Sequence, residues 1–377
     1  MLSNPVVGLL LPTEKKTHLM TQARLLQKLA KINRDPLKTA KAVGLKYVSD
    51  TAPGWKRAHN KDGFYYVDAH EKTCRDDEVL ARVKKLVLPP AWANVWICAD
   101  PNGHLQATGV DAKGRKQYRY HPAWNTIRSQ TKYYRLPQFA DALPLIRERL
   151  ERDLKKPGFP YEKVLALAVR IMEQTNIRVG NEEYKRLYGS FGLTTLQDKH
   201  VKVTGDDLKF QFKGKKGVAH SIHLKSRKLA RLIQQSRDIP GKELFQYYDS
   251  QGNHRSIGSG DINAYLKEIS GMDFTAKDFR TWAGTVTAFH SFRALGPAAT
   301  ATETKGNILK TIDEVATNLG NTRTVCRKYY IHPALLTAYE KGDFFNFLPD
   351  DTTIEEKTWL SAEEQLVKNL LVGYAWQ

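Results

Sequence analysis

Cysteine is scarce and scattered: Cys74, Cys98 and Cys326 are the three in 377 residues, and no two stand at a metal-ligand spacing. An odd, dispersed set supports neither a disulfide framework nor a thiolate zinc site and fits a reducing compartment. Long apolar runs are lacking too. The stretch Val6–Leu11 is short, carries Gly8, has no basic lead-in and stops at Pro12, so it does not read as a signal peptide. No stretch approaches the ~20 apolar residues of a membrane span, and the sequence reads as a cytoplasmic protein with no membrane partner. It has no Walker loop, no EF-hand loop, no carboxylate-rich metal cluster and no Gly-rich dinucleotide fingerprint. Any chemistry done on a phosphate is therefore expected to proceed without nucleotide, metal or other cofactor.

Negative charge is also in deficit. Lys and Arg number 59 against 40 Asp and Glu, a net charge of +19 spread along the chain and not gathered in a tail. A polyanion is the partner this implies. Apolar residues at 41% and charged residues at 26% are ordinary for a globular protein, and the length allows two or three domains at ~100–200 residues each.

The pattern divides the chain. Residues 1–44 form an extension in which Leu25, Leu26, Leu29 and Ile32 recur at helical spacing before Pro36. Residues 45–121 read as a small domain on an antiparallel sheet: a strand at Gly63–Val67, a helix at Asp76–Leu86, and strands at Val95–Ala99 and His104–Thr108. Between the last two, Pro101-Asn102-Gly103 predicts a tight turn with positive φ angles. Residues 122–135 link this domain to a mainly helical one at 136–346, and residues 347–377 are a tail with a last helix capped by Ser361 and Glu364. Within the helical part, three short strands are expected at His200–Thr204, Leu208–Phe212 and Val218–Leu224. The fold class is α+β.

Several segments carry chemistry. Gly320–Pro333 reads GNTRTVCRKYYIHP, and its cations Arg323, Arg327 and Lys328 crowd Tyr329 and Tyr330. A phenol has an ordinary pKa of about 10, and cations around it favour the phenolate while drawing in a phosphodiester. The stretch alone leaves open whether a tyrosine here is a nucleophile, a core ring or a surface on which a base stacks. Lys113–His121 alternates Arg115, Lys116 and Arg119 with Tyr118 and Tyr120, and Gln117 offers paired donor and acceptor groups to a base edge. A solvated loop with packed rings would look the same. Arg178 follows a buried helix beside Gly180, Lys215 sits at the tip of a hairpin, and Lys277 and Arg280 lie at the start of a helix opened by Thr275 and Asp278. Cations at a helix N-terminus oppose its dipole, which makes sense where an anion is to be held.

Taken together, Asn176-Ile-Arg-Val-Gly180, Phe212-Lys-Gly-Lys215, Lys277-Asp-Phe-Arg280 and Gly320-Asn-Thr through Arg327-Lys-Tyr-Tyr330 resemble, in order and spacing, the type IB DNA topoisomerases of the compact bacterial and poxvirus form. Gln117-Tyr118-Arg-Tyr120 is similar to the DNA-contacting segment of that family's N-terminal domain, and the likeness runs from about residue 45 to about 345. The resemblance implies Tyr330 as nucleophile, Arg178 and Arg280 as phosphate clamps, Lys215 as proton donor to the leaving 5′-oxygen and Lys277 as its assistant. Asn321 stands where poxvirus and eukaryotic members carry histidine; its amide still donates to a phosphate oxygen but holds no charge. It further implies a monomer closing round double-stranded DNA, within the nucleoid. Two rival readings are a tyrosine recombinase and a DNA-binding protein without activity. Recombinases carry a helical DNA-clamping domain and a His where Lys277 stands, and a mere binder leaves the set of catalytic-type residues unexplained.

Overall fold

The computed structural model describes residues 36–61, 63–112, 114, 116–348 and 358–374, in two units that divide between Tyr134 and Arg135. The first holds α1 (Pro36–Ala42), β1 (Gly54–Asn60), β2 (Gly63–Val67), α2 (Asp77–Lys85), β3 (Ala93–Cys98), β4 (Leu105–Val110), β5 (Lys116–Tyr120) and α3 (Pro122–Tyr134). Its strands form one antiparallel sheet in the order β2-β1-β3-β4-β5, leaving β5 at an edge.

Alternation along the strands sorts the two faces of that sheet. Val95, Ile97 and Ala107 turn towards α2 and pack on its Val83. Ala107 lies opposite Arg119, and Thr108 opposite Tyr118, so Arg119 and Gln117 share the α2 face while Lys116, Tyr118 and Tyr120 occupy the other. A second cluster, Ala40, Leu45, Trp124 and Ile127, joins α1 to α3 with Tyr120 against it. Residues 122–134 are thus helical and part of this unit's packing.

One turn departs from expectation. Neither Asn102 nor Gly103 has a positive φ angle. The connection between β3 and β4 is built on Asp100 instead: its carboxylate accepts from the Asn102 N–H at 2.8 Å and its carbonyl from the Gly103 N–H at 3.0 Å. An aspartate that bonds its own backbone two residues on stabilises an ordinary turn and removes the need for a left-handed one. The helical pattern at Leu25–Ile32 lies outside the described residues.

The second unit holds α4 (Leu136–Leu154), α5 (Tyr161–Thr175), α6 (Glu182–Tyr188), β6 (Val201–Thr204), β7 (Asp207–Lys213), β8 (Ala219–Lys225), α7 (Arg227–Ser236), β9 (Gln246–Tyr248), β10 (His254–Ser256), α8 (Ser259–Ser270), α9 (Ala276–Leu295), α10 (Ala301–Leu319), α11 (Arg323–Tyr329), α12 (Pro333–Lys341) and α13 (Ala362–Tyr374). With thirteen helices among the described residues, a five-stranded sheet and the three-stranded sheet β6-β7-β8, the fold is α+β. One large core runs through α4, α5, α9, α10, α12 and α13. Every residue of α5 from Lys163 to Met172 is buried, so this helix is packed on all sides. The tail helix α13 is capped as its sequence predicts, the Ser361 N–H donating to Glu364 and the Glu364 N–H to the Ser361 hydroxyl at 3.2 Å.

Candidate active site

The buried helix α5 ends at Asn176, which adopts the left-handed conformation (φ 56°) that asparagine tolerates. That turn sends Arg178 out of the core. Its backbone is then pinned, because the Leu193 N–H donates to the Arg178 carbonyl and the Thr194 N–H to that of Val179, both at 2.8 Å. A Cβ on Gly192 would stand 2.6 Å from the Arg178 carbonyl oxygen, so only glycine permits this approach. The Arg178 guanidinium donates to the Gly320 carbonyl at 3.2 Å and to the side-chain oxygen of Asn321.

Helix α9 supplies the second arginine. Asp278 accepts from the backbone N–H and hydroxyl of Thr275, which fixes the helix start. Arg280 lies one turn in and is 5% exposed. It donates through Nη1 to the Asn176 carbonyl and through Nη2 to the Leu319 carbonyl at 2.7 Å, tying together the ends of α5 and α10. Gly284, four residues on and so on the same helix face, receives the tyrosine segment: a Cβ there would stand 2.7 Å from the Tyr330 carbonyl oxygen. The Thr285 hydroxyl accepts from the His332 N–H at 3.2 Å and reaches the Tyr330 carbonyl at 3.4 Å. One helix therefore holds Tyr330 and sets the Arg280 guanidinium 5.2 Å above the centre of its ring.

The electrostatics follow from this crowding. Burial, then the neighbouring Arg178, push the Arg280 pKa down, while the Tyr330 phenol favours its charge; a guanidinium is basic enough to stay protonated. Burial pushes the Cys326 thiol up to about 11, despite the pull of Arg280 and Arg178, so this thiol stays protonated and is no rival nucleophile. Among the described residues, the Nε of Arg280 and the Nδ2 of Asn321 are buried without a hydrogen-bond partner of full geometry, although the Tyr330 hydroxyl lies close enough to Arg280 to favour its charge. A buried unpaired donor costs about 1–3 kcal/mol; one on the Arg280 guanidinium and one on the Asn321 amide, with Arg178 alongside, are what an oxyanion site uses. Because Asn321 accepts from Arg178 through its oxygen, its amide nitrogen is the end left over.

Residues 121–343 match the family model for the catalytic core of eukaryotic DNA topoisomerase I, and residues 63–111 match that for the N-terminal domain of bacterial DNA topoisomerase IB. The chain belongs to the type IB DNA topoisomerases. The DNA topoisomerase 1B of Acanthamoeba polyphaga mimivirus is 32% identical over 309 residues, which span 80% of this chain and 91% of the viral one. That of vaccinia virus (strain Copenhagen) is 23% identical over 254 residues, 66% of this chain and 76% of the relative.

In this topoisomerase Arg178, Arg280, Asn321 and Tyr330 come together through the contacts above. Lys215 is exposed in the turn Lys215–Gly217 between β7 and β8, and Lys277 is exposed in the first turn of α9. Tyr329 ends α11 and is 39% exposed, with the Lys328 ammonium 5.3 Å from its ring centre, whereas Tyr330 packs against the core. Arg327 is exposed on α11. Arg323 forms a two-pronged ion pair with Asp313 of α10, which offsets much of its charge. In the first unit the Tyr118 and Tyr120 rings stack at 6.0 Å and 7°, with the Lys116 ammonium 5.7 Å from the Tyr118 ring and 2.5 Å from Asp50. Gln117 faces the other way and donates to Asp111 at 2.9 Å; Arg115 lies outside the described residues.

Two residues at these places escaped the sequence reading. Tyr47, exposed, stacks on the buried His104 at 4.1 Å and 17° beside Trp124. His220 of β8 lies near Arg178 and Arg280, whose charges after the effect of burial hold its imidazole below the usual histidine range. Its signal was available: with Ile222 and Leu224 it forms the inward set of an alternating strand.

Proposed function

We propose that this topoisomerase relaxes positively and negatively supercoiled DNA by transient cleavage of one strand. Tyr330 attacks a backbone phosphorus, the phenol losing its proton to water. The bond to the 5′-oxygen breaks, a 3′-phosphotyrosyl link forms, and Lys215, assisted by Lys277, supplies the proton that leaves with the 5′-hydroxyl. Arg178, Arg280 and the Asn321 amide hold the non-bridging oxygens as charge grows on them. The free end swivels, and attack of the 5′-hydroxyl on the phosphotyrosine restores the strand. The link conserves the energy of the broken bond, so the cycle requires neither nucleotide nor metal. The observation that carries this reading is the Arg280 guanidinium 5.2 Å over the Tyr330 ring, with Arg280 bonded to the Leu319 carbonyl and Arg178 to the adjoining Gly320 carbonyl and the Asn321 side chain.

DNA contacts are assigned to Lys116, Tyr118 and Tyr120 on one face of β5, to its neighbours Arg115 and Gln117, and to Arg323, Arg327 and Lys328 around the tyrosine. The protein acts as a monomer on double-stranded DNA. The test is relaxation of plasmids of both supercoil signs with excess EDTA and no ATP, followed by trapping of the covalent adduct with detergent. Complete relaxation of both signs is expected, with adduct retained in Tyr329→Phe and abolished in Tyr330→Phe. Relaxation that needs added metal, or adduct surviving in Tyr330→Phe, would sink the reading.

A further inference from the structure

The ring of His220 fills a gap between two glycines from distant parts of the chain. It lies opposite Phe212 across the β7-β8 pair and stacks on that ring at 5.0 Å and 19°. A Cβ on Gly214 would stand 2.6 Å from its Cδ2 and Nε2, and a Cβ on Gly320 would stand 2.6 Å from its Cε1. Both distances are far inside van der Waals contact, so the imidazole touches both backbones where a side chain would be.

What those glycines carry gives the contact its meaning. Gly214 opens the turn of Lys215, and that turn is tied as a unit: the Gly214 N–H donates to the Val218 carbonyl at 2.7 Å and the Gly217 N–H to that of Gly214 at 3.0 Å. Gly320 precedes Asn321, and its carbonyl accepts from Arg178. We propose that His220 is a positioning residue for strand cleavage: its flat ring spaces the Lys215 turn from the Gly320–Asn321 corner. It thereby fixes where the proton donor stands relative to the groups that hold the phosphate. This rests on the roles given above to Lys215 and Asn321. Burial, and then the charges of Arg178 and Arg280, disfavour a further charge at this place, and phosphate binding is left to the guanidiniums. A shift of about 1 Å in such a spacing costs on the order of a hundredfold in rate.

The experiment measures single-turnover adduct formation on supercoiled plasmid, and plasmid binding, for the wild type, His220→Ala, His220→Phe, Gly214→Ala and the double variant Gly214→Ala/His220→Ala. Gly214 has a negative φ of −92°, so its replacement acts through the ring and not through backbone strain. His220→Ala is expected to slow adduct formation by roughly ten- to a hundredfold with binding unchanged within about threefold. His220→Phe, which keeps a flat ring on Phe212, restores most of the rate. Gly214→Ala slows the protein that has His220 and adds little when His220→Ala is already present, a non-additivity expected of residues in contact. Wild-type rates in His220→Ala, no rescue by phenylalanine, or additive effects of the two substitutions would each overturn the proposal. If His220→Ala does not fold by its melting curve, His220→Phe and Gly214→Ala decide it: a wild-type rate in Gly214→Ala refutes the spacer. Absence of adduct in the wild type would instead refute the site reading itself.

Discussion

Arg280 and Arg178 are held differently, although each reaches the segment that leads into Tyr330. Arg280 is nearly inaccessible and has committed two donors to the carbonyls of Asn176 and Leu319; Arg178 is half-buried and bonds the Gly320–Asn321 corner. On the proposed mechanism, replacing either by alanine removes a charge from beside the growing oxyanion and is expected to slow adduct formation by about 10²–10³-fold. The stability cost separates them. Arg280→Ala strands the buried Leu319 carbonyl, at about 1–3 kcal/mol, and the part-buried Asn176 carbonyl besides, so urea unfolding should shift markedly for it and much less for Arg178→Ala. Equal shifts in the two variants would contradict this division. Of these roles, the sequence displayed the arginines but not their partners. A left-handed Asn176 whose carbonyl accepts from Arg280 depends on where α5 ends in space, which spacing along the chain does not encode.

Helix α13 illustrates the same divide at the level of elements. Its Ser361–Glu364 cap was legible because the groups are three residues apart. Its anchorage was not: Glu364 accepts two bonds at 2.7 Å from Arg147 of α4 and one at 2.9 Å from Trp282 of α9, two residues beyond Arg280. Burial pushes the Glu364 carboxyl up, but Arg147 and Trp282 overcome this and hold it below the ordinary carboxylate value. Glu364→Ala leaves a buried guanidinium with Glu173 as its remaining carboxylate. The expected loss is roughly 3 kcal/mol, the lower end for breaking a buried pair, against about 1 kcal/mol for the cap variant Ser361→Ala. Urea unfolding of the two variants checks the ratio; equal losses would mean that α13 is held by its cap and not by its anchor.

Over the whole molecule, charge and protonation set the working conditions. With a net charge of +19, plasmid affinity should fall linearly with salt on a log–log plot as counterions are released; a flat plot would refute phosphate-dominated binding. Among the described residues, His104 is held below its ordinary pKa by burial, His200 by burial and Lys199, and His220 by burial, Arg178 and Arg280. His104 and His200 each accept a backbone N–H through Nδ1, from Val48 and Gln197, which requires a neutral ring. The unfolded chain therefore binds protons first, and the stability these rings contribute is complete above about pH 6.5 and is lost as pH falls below it. Melting temperatures should drop between pH 7 and 5, before the carboxylates titrate, and the drop should shrink in His104→Phe. A melting temperature constant over that range would refute it.

Along this chain, the sequence by itself determined what is local or cumulative: the strand at Gly63–Val67, the three strands between 200 and 225 and the buried helix α5 from their patterning, the Ser361 cap, the net charge, and the motif set that marks a type IB topoisomerase. The tertiary structure alone decided which side chains meet. It turned Arg323 towards Asp313, tied Arg280 to the ends of α5 and α10, and wedged His220 between Gly214 and Gly320. Periodicity is a property of neighbours and survives in one dimension. Close approach between residues far apart in sequence is fixed by how buried helices such as α5 and α9 pack, and hence by the whole core at once.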